Sequence, residues 1–162
     1  MGRRSRPWGR AEGGGSMEGP GDFYATVEAY DVVDGDTFRA RIDGEKVRVR
    51  IMGINSPESG GYREEEDWGE EAKLYAKKKL EGRTVHLFTD PGDPMFDQYD
   101  RLLAHVVMEN GMNYAVLAVA EGMAHTYILR HQELTIGDTL RKAEKLARAE
   151  RRGMWSSAAH RE

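Results

Sequence analysis

The stretch VDGDTFRARIDGEKVRVRIM, Val33–Met52, decides the fold. After the Asp34–Gly35–Asp36 turn the residues alternate, placing Phe38, Ala40 and Ile42 on one face. Asp43–Gly44–Glu45 then reads as a hairpin turn of the Asp-Gly type. Alternation resumes, with Val47, Val49 and Ile51 on one face and Arg48 and Arg50 on the other. A period of two marks strands that bury one side. With the apolar, β-branched run Phe23–Val33 ahead of it, the region predicts three antiparallel strands in succession.

Downstream, WGEEAKLYAKKKLEG has apolar residues near helical spacing and Gly82 as its stop. RTVHLFTD is a fourth strand, and PGDPMFDQYD has no period and reads as a loop. RLLAHVVM is a fifth strand, MNYAVLAVAEG a short apolar helix, and TIGDTLRKAEKLARAERRG an amphipathic helix. Trp155, just past that helix, is expected to pack back on the body. The order β-β-β-α-β-β-α-α predicts an α+β fold with a mainly β core: a five-stranded antiparallel barrel of the OB type with three α-helices.

The 162 residues suffice for one domain with a real core, expected over residues 21–157. Residues 1–20 are rich in Gly, Pro, Ser and Arg and read as a disordered tail or leader, and residues 158–162 as a second tail. The N-terminus has no apolar h-region, so it is no secretory signal. The default compartment is the cytoplasm, or the exterior if residues 1–16 stand in for a native leader. No run approaches a membrane span. The absence of cysteine excludes disulfides, zinc–cysteine sites and a thiol nucleophile. A net charge of −4 argues mildly against a strong non-specific nucleic-acid binder. The charge is uneven, with an acidic stretch ESGGYREEEDWGEE and a basic LRKAEKLARAERR.

Four pieces carry the chemistry: Asp34 and Asp36; Arg50; Asn55, Ser56 and Glu58; and Asp97, Tyr99 and Arg101. Each alone is weak. Together they supply what phosphodiester hydrolysis needs. Carboxylate and carbonyl oxygens can hold a hard cation, guanidinium forks match phosphate oxygens, and a free carboxylate can take a proton from water. The histidines show no metal-ligand spacing, and Asp31, Asp34 and Asp36 lack the spacing of an EF-hand loop.

In this order, VDGDT, R-(four residues)-NSPE, WGEEA, DQYDRLLA, EGMA and the closing AE…A…GMW resemble the staphylococcal nuclease (thermonuclease) family, over about Phe23–Trp155. The resemblance implies an OB barrel with three helices and a Ca²⁺ ion held by the Asp36 carboxylate, the Asn55 side chain and the Ser56 backbone carbonyl. It implies Glu58 as general base, Arg50 and Arg101 on the scissile phosphate, Asp34 as a nearby carboxylate, and Tyr99 and Tyr127 against the nucleotide. The implied activity is cleavage of DNA and RNA with little sequence preference, leaving 3′-phosphate ends, by a chain taken as a monomer. Two positions depart from the pattern: Asn55 stands where the family has Asp, and Asp100 where it has Gly. The competing reading is a catalytically weakened nucleic-acid or protein-binding module. Such a module would lack Arg50, Glu58 or Arg101, and this chain keeps all three.

Overall fold

Alternation in the sequence becomes alternation in burial. A computed structural model describes residues 19–59, 67–129, 132 and 134–157. Its strands are β1 (Asp22–Asp34), β2 (Thr37–Ile42), β3 (Glu45–Ile51), β4 (Ile54–Asn55), β5 (Arg83–Thr89), β6 (Leu102–Met108) and β7 (His125–Thr126). Its helices are α1 (Gly69–Leu80), α2 (Tyr114–Ala120) and α3 (Gly137–Ala149), followed by a short 3₁₀ turn, Gly153–Ser156. Phe38, Ala40, Ile42, Val49 and Ile51 are all buried, as their spacing requires. No described helix is long and apolar enough to cross a membrane.

Five strands close a barrel in the order β1-β2-β3-β6-β5, with β5 returning to β1. The α+β barrel with three helices stands as expected, with one correction. Four seams are antiparallel, but β3 and β6 run parallel, Val49 beside Leu102 and Arg50 beside Leu103. The reason is geometric. Strand directions that reverse at every seam cannot match around an odd ring, so a closed ring of five strands needs one parallel seam. α1 bridges β3 to β5, and β6 then folds back from β5 onto β3. Register shifts in β1 let this 13-residue strand bend from β2 on one side to β5 on the other.

The barrel core joins Phe38, Ile51, Leu87 and Leu102 to Ala76 and Leu80 of α1 and to Tyr114 and Ala118 of α2. Removing a large buried ring such as Phe38 would cost about 3–5 kcal/mol. Ala72, Ala76 and Leu80 recur every fourth residue and are the buried stripe of α1. Trp155 does pack back, in a small second cluster with Ala147, Met154 and Trp68. Residues 1–18, 158–162 and 60–66, which hold most of the N-terminal tail, the C-terminal tail and half of the acidic stretch, lie outside the described residues.

The loop from β5 to β6 is tied down from inside. Asp90 Oδ2 meets His105 Nε2 at 2.9 Å and accepts the Thr135 N–H at 3.2 Å, while Oδ1 accepts the Gly92 N–H. His105 is fully buried, and burial lowers its pKa despite the Asp90 carboxylate. The folded chain therefore resists protonating this ring, whereas the unfolded chain takes up a proton near pH ~6.5. The stability this group contributes is present above that value and is lost as pH falls below it. His105→Gln, which keeps a hydrogen-bond donor, is expected to flatten the fall of melting temperature with acid; an unchanged fall would contradict this account of the pair.

Candidate active site

The turn between β1 and β2 is fastened to the chain beyond β3 by one carboxylate. Asp36 Oδ2 accepts the Ser56 N–H at 2.9 Å, and Oδ1 accepts the Thr37 hydroxyl at 2.9 Å. Asp36 is 6% exposed. The segments meet closely because residue 35 is glycine: a Cβ there would lie 2.6 Å from Ser56 Cβ. β4 is held on its other side by β7, Asn55 opposite His125.

Arg50 is the positive charge in this cluster. Its Nη1 donates to the carbonyls of Ile51 (2.8 Å) and Ile54 (2.9 Å). Its Nη2 lies 3.3 Å from Asn55 Oδ1 and 3.6 Å from Asp36 Oδ2. Strand alternation turns Arg50 away from the core, and the two carbonyls then fold its guanidinium over the β4 turn. Burial opposes the Asp36 charge, but Arg50, Asp34 and the Ser56 and Thr37 donors outweigh it and lower its pKa. Asp34 meets the opposite balance. Burial first, then the charge of Asp36, with a smaller push from Glu58, raise its pKa from 3.8 to about 7.

Glu58 is half-buried just past the turn. Its backbone is seated against the start of α1. A Cβ on Gly69 would lie 1.7 Å from the Glu58 carbonyl oxygen, so only glycine lets the helix begin there.

Arg101 belongs to a second group. Asp97 Oδ2 accepts its Nε at 2.8 Å, and Asp97 Oδ1 accepts the backbone N–H groups of Tyr99 and Arg101, each at 2.9 Å. Arg101 also stacks on Tyr99, 5.4 Å from the ring centre. The parallel seam sets this loop beside the first group, because Leu102 pairs with Val49 and Leu103 with Arg50. Asp100 is no partner of Arg101 here: the ion pair is with Asp97. Asp100 adopts φ +64°, the left-handed region, which explains why glycine suits that position. Tyr99 is 60% exposed and Tyr127 47% exposed. Tyr127 donates its backbone N–H to Gly53 O at 2.7 Å.

Asp34, Asp36, Arg50, Asn55 and Ser56 therefore form one hydrogen-bonded cluster, with Glu58 in electrostatic reach. Arg101 and Tyr99 flank it across the β3–β6 seam. Thr37, Gly35 and Gly69 are supporting residues that reading the sequence missed, while Asp97, already among the candidate residues, is the group that holds Arg101. The signal for that role was there, an Asp four residues before an Arg inside a turn.

The donors suit a hard cation. Asp36, Asn55 and the Ser56 carbonyl offer only oxygen. Ser56 Oγ is buried with no hydrogen-bond partner among the described residues. Burial and then the charge of Asp36 raise the Asp34 pKa to about 7, and a cation would offset the second of these causes. The anionic share is small, since among the described residues no three Asp, Glu, His or Cys side chains converge as a cage.

A barrel carrying paired carboxylates, an arginine and a glutamate at one edge defines the class, and the sequence comparisons specify it. Residues 48–157 match the family described as staphylococcal nuclease homologue. The chain belongs to that family. It is 32% identical over 126 residues to an uncharacterized protein of Bacillus anthracis, covering 77% of this chain and 58% of that one. It is 29% identical over 133 residues to the thermonuclease of Staphylococcus hyicus, covering 82% and 76%. An uncharacterized endonuclease of Escherichia coli O157:H7 is 29% identical over 127 residues, covering 78% and 74%. The chain thus spans under two thirds of the Bacillus anthracis relative.

The Asp34 shift has a signed consequence. The folded chain keeps this proton up to about pH 7, while the unfolded chain releases it near 3.8. Asp34 therefore contributes a loss of stability as pH rises between those values. With chelator present, Asp34→Asn is expected to remove that part of the slope and to raise the melting temperature on the alkaline side of pH 7. A slope equal to wild type would sink this account. Gly69→Ala is expected to lower both the melting temperature and the yield of folded protein; wild-type values would mean that Glu58 is not seated as described.

Proposed function

We propose that the protein is a calcium-dependent nuclease. It hydrolyses phosphodiester bonds of DNA and RNA with little sequence preference, breaks the 5′-O–P bond and leaves 3′-phosphate ends. One observation carries the reading: a single hydrogen-bonded cluster joins Asp36, Arg50 and Asn55 beside Glu58, with Arg101 across the next seam. The relatives named thermonuclease and endonuclease support it.

Arg50 and Arg101 grip the non-bridging oxygens and stabilise the charge that grows on them as water adds to phosphorus. To reach the phosphate, Arg50 gives up its 3.3 Å contact with Asn55 and keeps its anchors on the Ile51 and Ile54 carbonyls. Glu58 accepts the proton of the attacking water, and the departing 5′-oxygen leaves with a proton. Asp36, Asn55 and the Ser56 carbonyl would hold Ca²⁺, which supplies positive charge to the phosphate and acidifies bound water. Asp34 would hold water beside that group. Tyr99 and Tyr127, both exposed, offer ring faces to the nucleotide. The chain works as a monomer on nucleic acid.

Because Asn55 removes one negative charge from the donor set, calcium binding is weaker than an Asp pair would give. Asn55→Asp is expected to tighten calcium in a calorimetric titration; no gain would remove residue 55 from the ligand set. End-group analysis of digested DNA and RNA tests the reaction itself. The expected products carry 3′-phosphates, and Arg50→Lys should slow their formation by about a hundredfold or more. Products with 5′-phosphates, or equal rates with chelator, would contradict the assignment.

A further inference from the structure

The cluster uses one end of a longer cationic face. Lys46, Arg48 and Arg50 occupy alternate positions of β3, so their side chains leave the same side of the sheet, about 6.6 Å apart. The pairing of β2 with β3 sets Arg39 opposite Arg48 and Arg41 opposite Lys46. Like charges directly opposite each other destabilise a hairpin, yet both of these cross-strand pairs are cation on cation. Two neighbours soften the repulsion: Asp31 is ion-paired with Arg39, and Arg41 lies 4.8 Å over the Tyr30 ring. Arg41, Lys46 and Arg48 are exposed.

This face is a groove. A depression of about 390 Å³ is lined by Arg39, Lys46, Arg48 and Phe96 together with the carboxylates of Glu45 and Asp100. Phe96 is 40% exposed, an aromatic ring presented beside three cations. Arg48 also donates to the backbone carbonyl of Tyr99, so the groove runs directly into the loop that carries Arg101. Cations at a regular step along a strand, with an aromatic face beside them, match the phosphates and bases of an extended single strand.

We propose that the outer face of the β2–β3 hairpin is a track for single-stranded nucleic acid. Lys46 and Arg48 bind phosphates flanking the one at Arg50, and Phe96 stacks on a base. The direction given to the track, toward Arg50, rests on the nuclease reading; the binding itself does not.

The test is the binding of a fluorescent oligothymidylate of about 12 nucleotides, a length within the span of one such fold. It is read by anisotropy with chelator present, across a salt series. Each phosphate contact to a single strand contributes about 0.7 to the slope of log affinity against log salt. Lys46→Ala/Arg48→Ala is expected to lose about 1.4 of that slope and at least tenfold in affinity, whereas Lys46→Arg/Arg48→Lys keeps both. Phe96→Ala is expected to weaken binding about tenfold with the slope intact. Wild-type slope in the double alanine variant overturns the track, even if affinity falls, because a displaced Tyr99 loop would do only that. Cleavage of a dinucleotide, too short to reach Lys46, is measured alongside with calcium in place of chelator. Unchanged dinucleotide cleavage with lost oligomer binding supports the track. A wild type that cuts neither the dinucleotide nor the oligothymidylate with calcium added, but whose oligomer binding depends on Lys46 and Arg48, defeats the nuclease reading and leaves the track standing.

Discussion

The Asp36 carboxylate is the interaction on which the site depends. It ties the β1–β2 turn to the chain beyond β3 through the Ser56 N–H, and it faces Arg50 at 3.6 Å. Both side chains of this ion pair are mostly buried, at 15% and 8% exposure. The net worth of such a pair is small, because desolvation offsets attraction. Losing one partner alone costs about 3–5 kcal/mol, since the other charge is then stranded. That asymmetry fixes three chain segments against each other more firmly than the pair's own stability suggests. A buried carboxylate beside a second one at Asp34 is also a poor choice for stability, and it suits the cation site proposed here.

The topology explains why the two halves of the site meet. β3 brings Arg50 and β6 brings Arg101, and the ring of five strands makes that seam the parallel one. Parallel strands start at the same end. The loop that enters β6 therefore lies beside the part of β3 that carries Arg48 and Arg50, and the Arg48 bond to Tyr99 O joins them. Asp97 does for that loop what Asp36 does for the other, gathering two backbone N–H groups and a guanidinium onto one carboxylate.

Much of this was legible in the sequence, and the gaps have physical causes. Phe38, Ala40, Ile42, Val49 and Ile51 showed the barrel because one buried face imposes a period of two. The parallel seam left no trace in β6, whose residues alternate alike beside a parallel or an antiparallel neighbour; only counting the strands of a closed ring exposes it. β4 and β7 are two residues each, too short to show any period. Asp100 drew attention as a residue standing where the family has Gly, and its left-handed backbone conformation is what that position demands. Thr37 looked like an ordinary turn residue because its task is to hold another side chain, and Asp97 stood out without showing that its task is to hold Arg101. Gly35 and Gly69 act through an atom they lack.

The account stands or falls on whether this cluster cuts nucleic acid through Glu58. The most direct measurement is degradation of single-stranded DNA with added calcium or chelator, run for wild type and Glu58→Gln. The account predicts calcium-dependent cutting by wild type that collapses in the variant, while the variant keeps the wild-type melting temperature. Equal cutting by both proteins, or a wild type that binds the strand and leaves it whole at saturating calcium, would contradict it.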